Sequence, residues 1–175
     1  MDISYIKTMT RVGSIIKRLD HDKKLKFLYD EKISKSLRKD DRGRVYALCV
    51  DGAIVKIGGS QAKGGIDGTY SAYFGGFAPK MSLRTYCVWN YIRQQIELGK
   101  KVEVYCVWAD TVTVPVPTMT GSEEQTITID FHAIENNFVK EYVEKEGKYP
   151  YLNMQESGNK WIDTGLSEGY PGMGK

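Results

Sequence analysis

The stretch that decides the fold is RVYALCVDGAIVKIG, residues 44–58. It holds two runs rich in β-branched and aromatic residues, and the Asp51-Gly52 pair stands between them. Asp-Gly is among the strongest signals for a two-residue turn, because both turn positions need a left-handed backbone that these residues tolerate. The stretch therefore predicts a β-hairpin.

The residues that follow the hairpin predict a loop, a helix, a third strand and a last helix. Residues 59–81 are rich in glycine, which disfavours one long regular element. Ser82 is a good N-cap, and the helix that it opens ends at Gly99. KVEVYCVWAD, residues 101–110, has the pattern of a buried strand, and Asp130 caps the last helix. We therefore expect an α+β fold, with a small three-stranded, antiparallel-led sheet flanked by helices.

Positive charge is concentrated in the first 44 residues, which carry 13 Lys and Arg against 7 Asp and Glu, whereas the remainder carries 12 against 15. From Ile3 to Leu19, apolar residues recur every three or four positions, the spacing of one helical face, and a second such run follows Asp22. We expect a basic helical arm here. Such a charge run is either the solvated face of packed helices or a surface that follows a phosphate backbone.

Two further segments lie outside the helices and strands of the core. One has two β-like runs around a Gly-Ser tip, and Pro115 and Pro117 confine its first run to an edge or an arm. The other is a C-terminal tail for which Trp161 is the expected anchor. The predicted organisation is a basic helical arm at 1–43, a core at 44–153 with insertions at 59–81 and 111–129, and a tail at 154–175.

The composition of the 175 residues excludes several classes of protein. No apolar run approaches the ~20 residues of a membrane helix and no signal-peptide pattern is evident, so we expect a cytoplasmic protein without a membrane partner. Cys49, Cys87 and Cys106 form no CxxC pair and have apolar or aromatic neighbours, which is typical of buried thiols rather than zinc ligands or disulfides. Two histidines far apart in the sequence argue against a histidine-rich metal centre.

Glu135 is the most informative residue of the last helix. Phe131, Ile134, Phe138 and Tyr142 define the buried face of that helix, and Glu135 lies on or beside the same face. A carboxylate that faces a sheet is costly unless it is paired or bound to a metal. Glu135 is therefore either paired with a nearby cation or a metal ligand.

The hairpin places Tyr46 on its first strand and Lys56 on its second, where the two side chains lie nearly opposite each other and can share a face. An ammonium beside a phenol would lower the phenol's pKa from its usual ~10, as a general base requires. Taken alone, each is also an ordinary strand residue. The pair gains significance from the motifs that follow it.

The ordered motifs of this chain resemble those of the GIY-YIG nuclease superfamily. They are Val45-Tyr46, Lys56-Ile57-Gly58, Arg84 at a helix start, Glu135-Asn136-Asn137-Phe138-Val139 and Pro150-Tyr151-Leu152-Asn153. Each piece alone is a weak signal, but their order matches the strands and helices predicted above. The resemblance covers about residues 44–153 and implies a GIY-YIG-like fold with nuclease activity.

The resemblance also implies a role for each matching residue. Tyr46 is the general base or water-positioning residue, and Lys56, which stands in place of the family's second tyrosine, helps to activate the water. Arg84 holds the scissile phosphate, and Asn153 steadies the site from the chain after the last helix. Glu135 binds one divalent cation, Mg²⁺ or alternatively Mn²⁺, for which a carboxylate oxygen is a suitable ligand.

Two of these positions have alternatives in the sequence. The family's arginine follows the second motif closely, whereas Arg84 lies beyond the glycine-rich insertion, so Lys63 or Arg93 is an alternative phosphate clamp. Glu141 is an alternative metal ligand. Glu135 is preferred because the residues three and four positions after it are apolar, as in the family.

The sequence thus predicts a metal-dependent endonuclease that hydrolyses double-stranded DNA at specific sites, in the manner of a restriction enzyme, and that can form a homodimer. The basic arm and the two insertions would grip the duplex. Target selection would reside in the insertions, because a small catalytic core mostly contacts phosphates. The side chains expected to contact DNA are Lys17, Arg18, Lys23, Lys24, Lys63, Tyr70 and Tyr73. The alternative, from another class, is a non-catalytic nucleic-acid-binding protein on a degenerate nuclease scaffold.

Overall fold

A five-stranded antiparallel sheet forms the centre of the computed structural model, which describes residues 1–20, 24–74, 81–158 and 160–171. The strands are β1 (Thr10–Lys17), β2 (Leu25–Tyr29), β3 (Arg44–Val50), β4 (Ala53–Ser60) and β5 (Val102–Trp108). They lie in the order β2-β1-β5-β3-β4, so β4 is an edge strand. The predicted α+β class is confirmed, but the sheet has five strands rather than three.

The N-terminal segment contains strands, so the prediction of a basic helical arm at 1–43 is wrong. β1 pairs with β5 on one side and with β2 on the other, which places both N-terminal strands in the central sheet. In β2, Leu25 and Phe27 are buried and Lys26 between them is exposed, the alternation of a strand with one face on the core. The β-branched residues of β1 favour the same outcome, and pairing with a distant strand overrides the helix-like spacing.

The predicted hairpin is confirmed as β3 and β4. Asp51 and Gly52 form its turn with φ values of 47° and 82°, the left-handed conformation that this tight turn needs. β3 also pairs with β5 along its other side. As a result every residue of β3 is buried.

Helices cover both faces of the sheet. α2 (Gly65–Phe74) and α3 (Leu83–Glu97) lie on one face, and α4 (Phe131–Glu146) lies on the other. Two short helices, α1 (Lys35–Arg38) and α5 (Met154–Ser157), precede β3 and follow α4. As predicted, Ser82 caps α3 and Asp130 caps α4, each by accepting a hydrogen bond from a backbone N–H of the first turn. Both apolar sides of β3 are thereby buried.

β6 (Thr111–Thr118) and β7 (Gly121–Thr128) form the predicted inserted arm. Within the described part of the chain, these two strands pair only with each other. All residues of β7 are exposed, and in β6 only Val114 and Val116 are partly buried. The arm therefore extends away from the core.

The C-terminal residues pack on α3 and form more than a loosely anchored tail. Trp161 is partly buried against the core, as expected. In addition, the Tyr86 hydroxyl donates to the Glu168 carbonyl at 2.6 Å, and Asn90 Nδ2 donates to the Leu166 carbonyl at 3.0 Å. Several contacts, rather than Trp161 alone, thus hold this segment.

All three cysteines are buried free thiols, as their neighbours in the sequence indicated. Burial raises the pKa of each thiol, to about 12 for Cys49 and Cys106, which makes them poor nucleophiles. Among the helices that the structure describes, none is both long and apolar enough to cross a bilayer.

Candidate active site

Tyr46 lies in the middle of β3, and its ring covers Gly58 on the neighbouring strand. The two residues are paired across the ladder. A Cβ atom at Gly58 would come within 2.6 Å of the Tyr46 hydroxyl oxygen, so any larger residue there would displace the phenol. Gly58 is thus part of the site because it makes room for the Tyr46 ring.

Glu135 reaches the same end of β4 from the opposite face of the sheet. A Cβ atom at Gly59 would lie 2.3 Å from Glu135 Oε2. Successive strand residues face opposite sides of a sheet, so Gly58 receives the phenol on one side and Gly59 receives the carboxylate on the other. The Glu135 side chain is 22% exposed and therefore open to a ligand. Gly58 and Gly59 are called the glycine pair below.

Arg84 brings positive charge to the same end of the sheet. It lies in the first turn of α3, is exposed, and donates from Nη1 to Gln155 Oε1 at 3.0 Å. Both Arg84 and Glu135 are close enough to Tyr46 to act electrostatically on its phenol. A guanidinium in this position can offer N–H donors to a phosphate.

The surroundings of Tyr46 keep its phenol neutral. Burial raises the pKa of Tyr46 well above its ordinary value, and Tyr73, with which it shares a hydrogen bond, adds to the rise. Smaller effects come from Arg84, which lowers the pKa, and from Glu135, which raises it. The expectation that the pKa of Tyr46 is lowered is therefore wrong, because loss of hydration dominates. In the free protein, Tyr46 is a hydrogen-bonding group and not a phenolate.

Lys56 shares a face with Tyr46, as the hairpin predicted. It pairs with Leu48, two residues along β3 from Tyr46, so the two side chains are diagonal neighbours. Lys56 is 2% exposed, and its Nζ donates to the Leu152 carbonyl at 3.3 Å. The ammonium therefore joins β4 to the segment that follows α4.

Asn153 clamps the outer edge of β4. Its Oδ1 accepts a hydrogen bond from the Ile57 N–H and its Nδ2 donates to the Ile57 carbonyl, both at 2.9 Å. Next to it, the Leu152 N–H donates to the Val55 carbonyl at 2.8 Å. These bonds satisfy backbone groups on the outer side of β4, an edge strand, immediately before the glycine pair. Asn153 is therefore a positioning residue.

Tyr70 and Tyr73 are core residues of α2, which corrects the expectation that they contact DNA. Tyr70 is 1% exposed and Tyr73 is 9% exposed. The Tyr70 ring packs on the Tyr46 ring, with centroids 5.4 Å apart. Ile66, Tyr70 and Tyr73 recur at helical spacing, a pattern in the sequence that indicates one buried face. α2 thus covers one side of the Tyr46 ring.

Arg44 supports the site and was not identified from the sequence. Its guanidinium is 1% exposed and forms five hydrogen bonds. Its acceptors are Thr69 Oγ1 and the carbonyls of Asp40, Arg42, Ala62 and Gly65. These bonds hold the segment between β4 and α2, and with it Tyr73, against the start of β3. Nothing in the sequence distinguishes Arg44 from an ordinary basic residue at a strand start.

Comparison with known proteins identifies the fold. No protein-family model and no curated protein matches the sequence. Among solved structures, a mutant of bacteriophage T4 EndoII matches with a TM-score of 0.51 and 15% sequence identity, over 87% of this chain and 98% of that chain. The chain has the fold of T4 EndoII. The restriction endonuclease HPY188I in complex with product DNA matches with a TM-score of 0.48 and 18% identity, over 86% of this chain and 84% of that chain.

Within this EndoII-like fold, Arg93 and Glu141 lie apart from the glycine pair. Arg93 donates to Glu97 one turn further along α3. Glu141 lines a cavity beside the N-terminus, whereas Glu135 lines a different cavity. Arg84 and Glu135 act electrostatically on the Tyr46 phenol, which favours them over these alternatives.

The basic residues predicted to contact DNA are spread along the chain. Lys17 and Arg18 line an open cavity of about 650 Å³ at the end of β1, where Arg18 is also ion-paired. Lys24 is partly buried just before β2, and Lys63 is exposed just before α2. Lys23 lies outside the described residues. For these residues DNA contact stays a prediction.

The donors available for a metal ion at the glycine pair are few. The described residues contain no group of three or more His, Cys, Asp or Glu that would enclose a metal. His132 stands beside Glu135, with its Nδ1 3.7 Å from Glu135 Oε2. Mg²⁺ retains several waters and often binds one or two carboxylates together with substrate phosphates. A single half-open carboxylate therefore fits a cation that is shared with a phosphate.

Proposed function

We propose that this protein is a metal-dependent DNA endonuclease of the GIY-YIG type that hydrolyses phosphodiester bonds of double-stranded DNA. The observation that carries the proposal is the approach of Tyr46 and Glu135 to the glycine pair, with Arg84 near enough to act electrostatically on the Tyr46 phenol. Together they supply a hydrogen-bonding group for water, a phosphate clamp and an oxygen ligand for a hard cation. The fold shared with EndoII, an endonuclease, supports the proposal.

Tyr46 and Arg84 have distinct tasks in the proposed hydrolysis. The neutral Tyr46 phenol, held by its hydrogen bond with Tyr73, orients the attacking water. Arg84 binds the non-bridging phosphate oxygens and offsets the charge that develops on them in the transition state. Lys56 and Asn153 hold β4 in place, so that the glycine pair keeps both sides of the strand open.

Glu135 has the task of binding the divalent cation, Mg²⁺ or Mn²⁺, together with oxygens of the scissile phosphate. A cation bound there would supply positive charge to the phosphate and to the leaving oxygen. His132, 3.7 Å from the carboxylate, is close enough to influence its orientation.

The decisive test compares two carboxylates of α4 in a plasmid-nicking assay with Mg²⁺ or Mn²⁺. Glu135→Gln removes the charge at the glycine pair, and we expect cleavage to fall by ~10³-fold. Glu141→Gln makes the same chemical change at an exposed position beside a different cavity, and we expect wild-type cleavage.

Cleavage retained by Glu135→Gln would contradict the assignment of the metal ligand. A wild-type protein that binds duplex DNA but does not cut it with either cation would favour the non-catalytic DNA-binding protein instead. Circular dichroism during heating checks that both variants fold as stably as the wild type. A loss of cleavage then comes from the lost carboxylate and not from unfolding.

Site-specific, restriction-like cutting and a homodimeric state are the finer parts of the proposal. The arm and the segment that contains α2 are insertions in the predicted core, and insertions of this kind are where target selection would reside. Discrete fragments from plasmid DNA would support site specificity, and a solution mass of twice 19.8 kDa would support the dimer.

A further inference from the structure

A groove beside the candidate active site combines exposed aromatic rings with lysines. It has a volume of about 440 Å³ and lies between the end of α4 and the C-terminal segment. The lining residues that matter here are Lys148, Tyr149, Tyr151 and Lys160. These four residues are called the lysine-tyrosine groove below.

The two tyrosines present their rings to solvent. Tyr149 is 37% exposed and Tyr151 is 52% exposed, although their neighbours Pro150 and Leu152 are buried. The Tyr151 ring is supported from behind by Tyr91, with ring centroids 5.4 Å apart. Exposed rings on a fixed backbone are the platforms on which nucleic-acid bases and sugars pack in sequence-tolerant binding.

The charge of the groove is complementary to a phosphodiester backbone. Lys148 and Lys160 are both exposed, and Asp163 is the acidic residue among those that line the groove. Two ammonium groups against one carboxylate leave a net positive surface. Neutralisation of phosphates by lysine is the main source of sequence-independent affinity for nucleic acid.

The groove and a cavity lined by Glu135 have a lining residue in common. Tyr149 lines both this groove and the adjoining cavity of about 350 Å³ that contains Glu135. On the other side, Arg84 bonds to Gln155 in α5, next to Met154, which lies in the wall of the groove. A strand whose phosphate lies at Glu135 and Arg84 would therefore continue past Tyr149.

We infer that the lysine-tyrosine groove binds the DNA strand that flanks the scissile phosphate. Lys148 and Lys160 each neutralise a phosphate, and the rings of Tyr149 and Tyr151 pack against sugars or bases. The inference rests on the proposed function, because Glu135 sets the point at which the strand enters the groove. None of these four residues belongs to the side chains that the sequence predicted to contact DNA.

The test measures binding of a short DNA duplex by fluorescence anisotropy at several salt concentrations, without divalent cation. We expect Lys148→Ala/Lys160→Ala to weaken binding by ~10-fold and to reduce the slope of log K against log salt by ~2. The matched control is Lys7→Ala/Lys145→Ala, which removes two exposed lysines from the cavity near Glu141. Tyr149→Ala/Tyr151→Ala should weaken binding by ~10-fold and leave the slope unchanged.

If the wild-type protein binds DNA and the two lysine variants have equal affinity and equal slope, the proposal that the groove binds DNA is wrong. That result is distinct from failure of the proposed function, which is judged by cleavage in the plasmid assay with Glu135→Gln. If the wild-type protein binds DNA through the groove but does not cleave it, DNA binding by the groove is supported and the nuclease activity is rejected. No binding of wild-type protein to DNA at low salt would overturn both.

Discussion

The chain contains two antiparallel hairpins of similar length that differ in their surroundings. In β3 every residue is buried, because β5 and β4 flank it and helices cover both faces. In β7 every residue is exposed, and its described pairing is with β6 alone. The candidate active site is built on the first hairpin. The second is also an antiparallel pair of strands, and it carries none of these catalytic candidates.

The sequences of the two hairpins account for this difference. RVYALCV, residues 44–50, is apolar at both odd and even positions, which suits a strand covered on both faces. GSEEQTIT, residues 121–128, is polar at most positions and cannot gain from burial. Hydrogen-bonded pairing alone therefore does not determine where a hairpin lies. The side chains on its two faces do.

Charge also separates the hairpins and revises the expected role of the arm. No Lys or Arg stands between Lys101 and Lys140, whereas the arm and its ends carry Asp110, Glu123, Glu124 and Asp130. A surface of this kind repels a phosphate backbone. The charge of the arm therefore lends no support to the expectation that it grips the duplex.

The largest expected effect comes from breaking the buried hairpin at its first residue. Arg44→Met removes five hydrogen bonds and leaves buried carbonyl groups without a donor. We therefore expect the free energy of unfolding to fall by about 4 kcal/mol. Arg42→Met, whose side chain is 43% exposed, should cost less than about 1 kcal/mol. Urea denaturation measures both, and equal costs would show that the bonds of Arg44 are not structural.

A matched pair of isoleucines tests the contrast in burial directly. Ile57 in β4 is 0% exposed and Ile127 in β7 is 46% exposed. Ile57→Ala should lower the free energy of unfolding by about 3 kcal/mol, since it leaves a cavity in the core. Ile127→Ala should change it by about 0.5 kcal/mol or less. A large loss for Ile127→Ala would mean that the arm is buried in solution, for example against a second subunit.

A substitution at Gly58 tests whether the position of the Tyr46 phenol depends on the absence of a side chain at residue 58. Gly58→Ala places a methyl group where the Tyr46 hydroxyl lies, and we expect about 2 kcal/mol of destabilisation together with a ~10²-fold loss of cleavage. Gly165→Ala is the control, because nothing lies within 4 Å of the added atom. Thermal unfolding and plasmid nicking give the two readouts. Full activity of Gly58→Ala would exclude a tight fit between these residues.

The smallest expected effect is a pH dependence that comes from Tyr46 in the buried hairpin and from Tyr70, which packs on it. Burial raises the pKa of Tyr46 and Tyr70 well above the ~10 of an unfolded chain. The stability that their neutral forms provide is complete below pH ~10 and is lost as pH rises above it, because only the unfolded state then releases protons. The arm contains no tyrosine and adds nothing to this dependence.

Thermal unfolding measured from neutral pH to pH ~11 tests this dependence. Tyr46→Phe should make the decline at alkaline pH less steep, by about 1 kcal/mol at the upper end. Tyr5→Phe, at a side chain that is 62% exposed, should leave the slope as in wild type. Identical slopes for all three proteins would show that Tyr46 is not protected from ionisation.

Local patterns predicted the parts of the fold that depend on neighbouring residues. Asp51-Gly52 marked the first hairpin, Ser82 and Asp130 marked helix starts, and Pro115 with Pro117 marked the arm. The N-terminal strands were missed because β1 is paired with β5, almost ninety residues later in the chain. Apolar spacing within a short window does not contain that information.

The candidate site also contains features that the sequence predicted and features that it did not. Tyr46, Lys56, Arg84, Glu135 and Asn153 were chosen by motif order, and the structure places them around β4 and the adjoining start of α3. The direction of the pKa shift at Tyr46 was wrong, because it depends on burial by α2. The supporting role of Arg44 was missed for a related reason, since its acceptors come from three separate segments.

The clamp of Asn153 on Ile57 has a consequence for solubility. A sheet that ends in an apolar strand with free N–H and C=O groups can add a strand from another molecule, and this is a common route to aggregation. Here a side-chain amide occupies both backbone groups of Ile57, and the Leu152 N–H occupies the carbonyl of Val55. A truncation before residue 152 would open this edge, and the shortened protein would form filaments or precipitate before any loss of its catalytic groups could be measured.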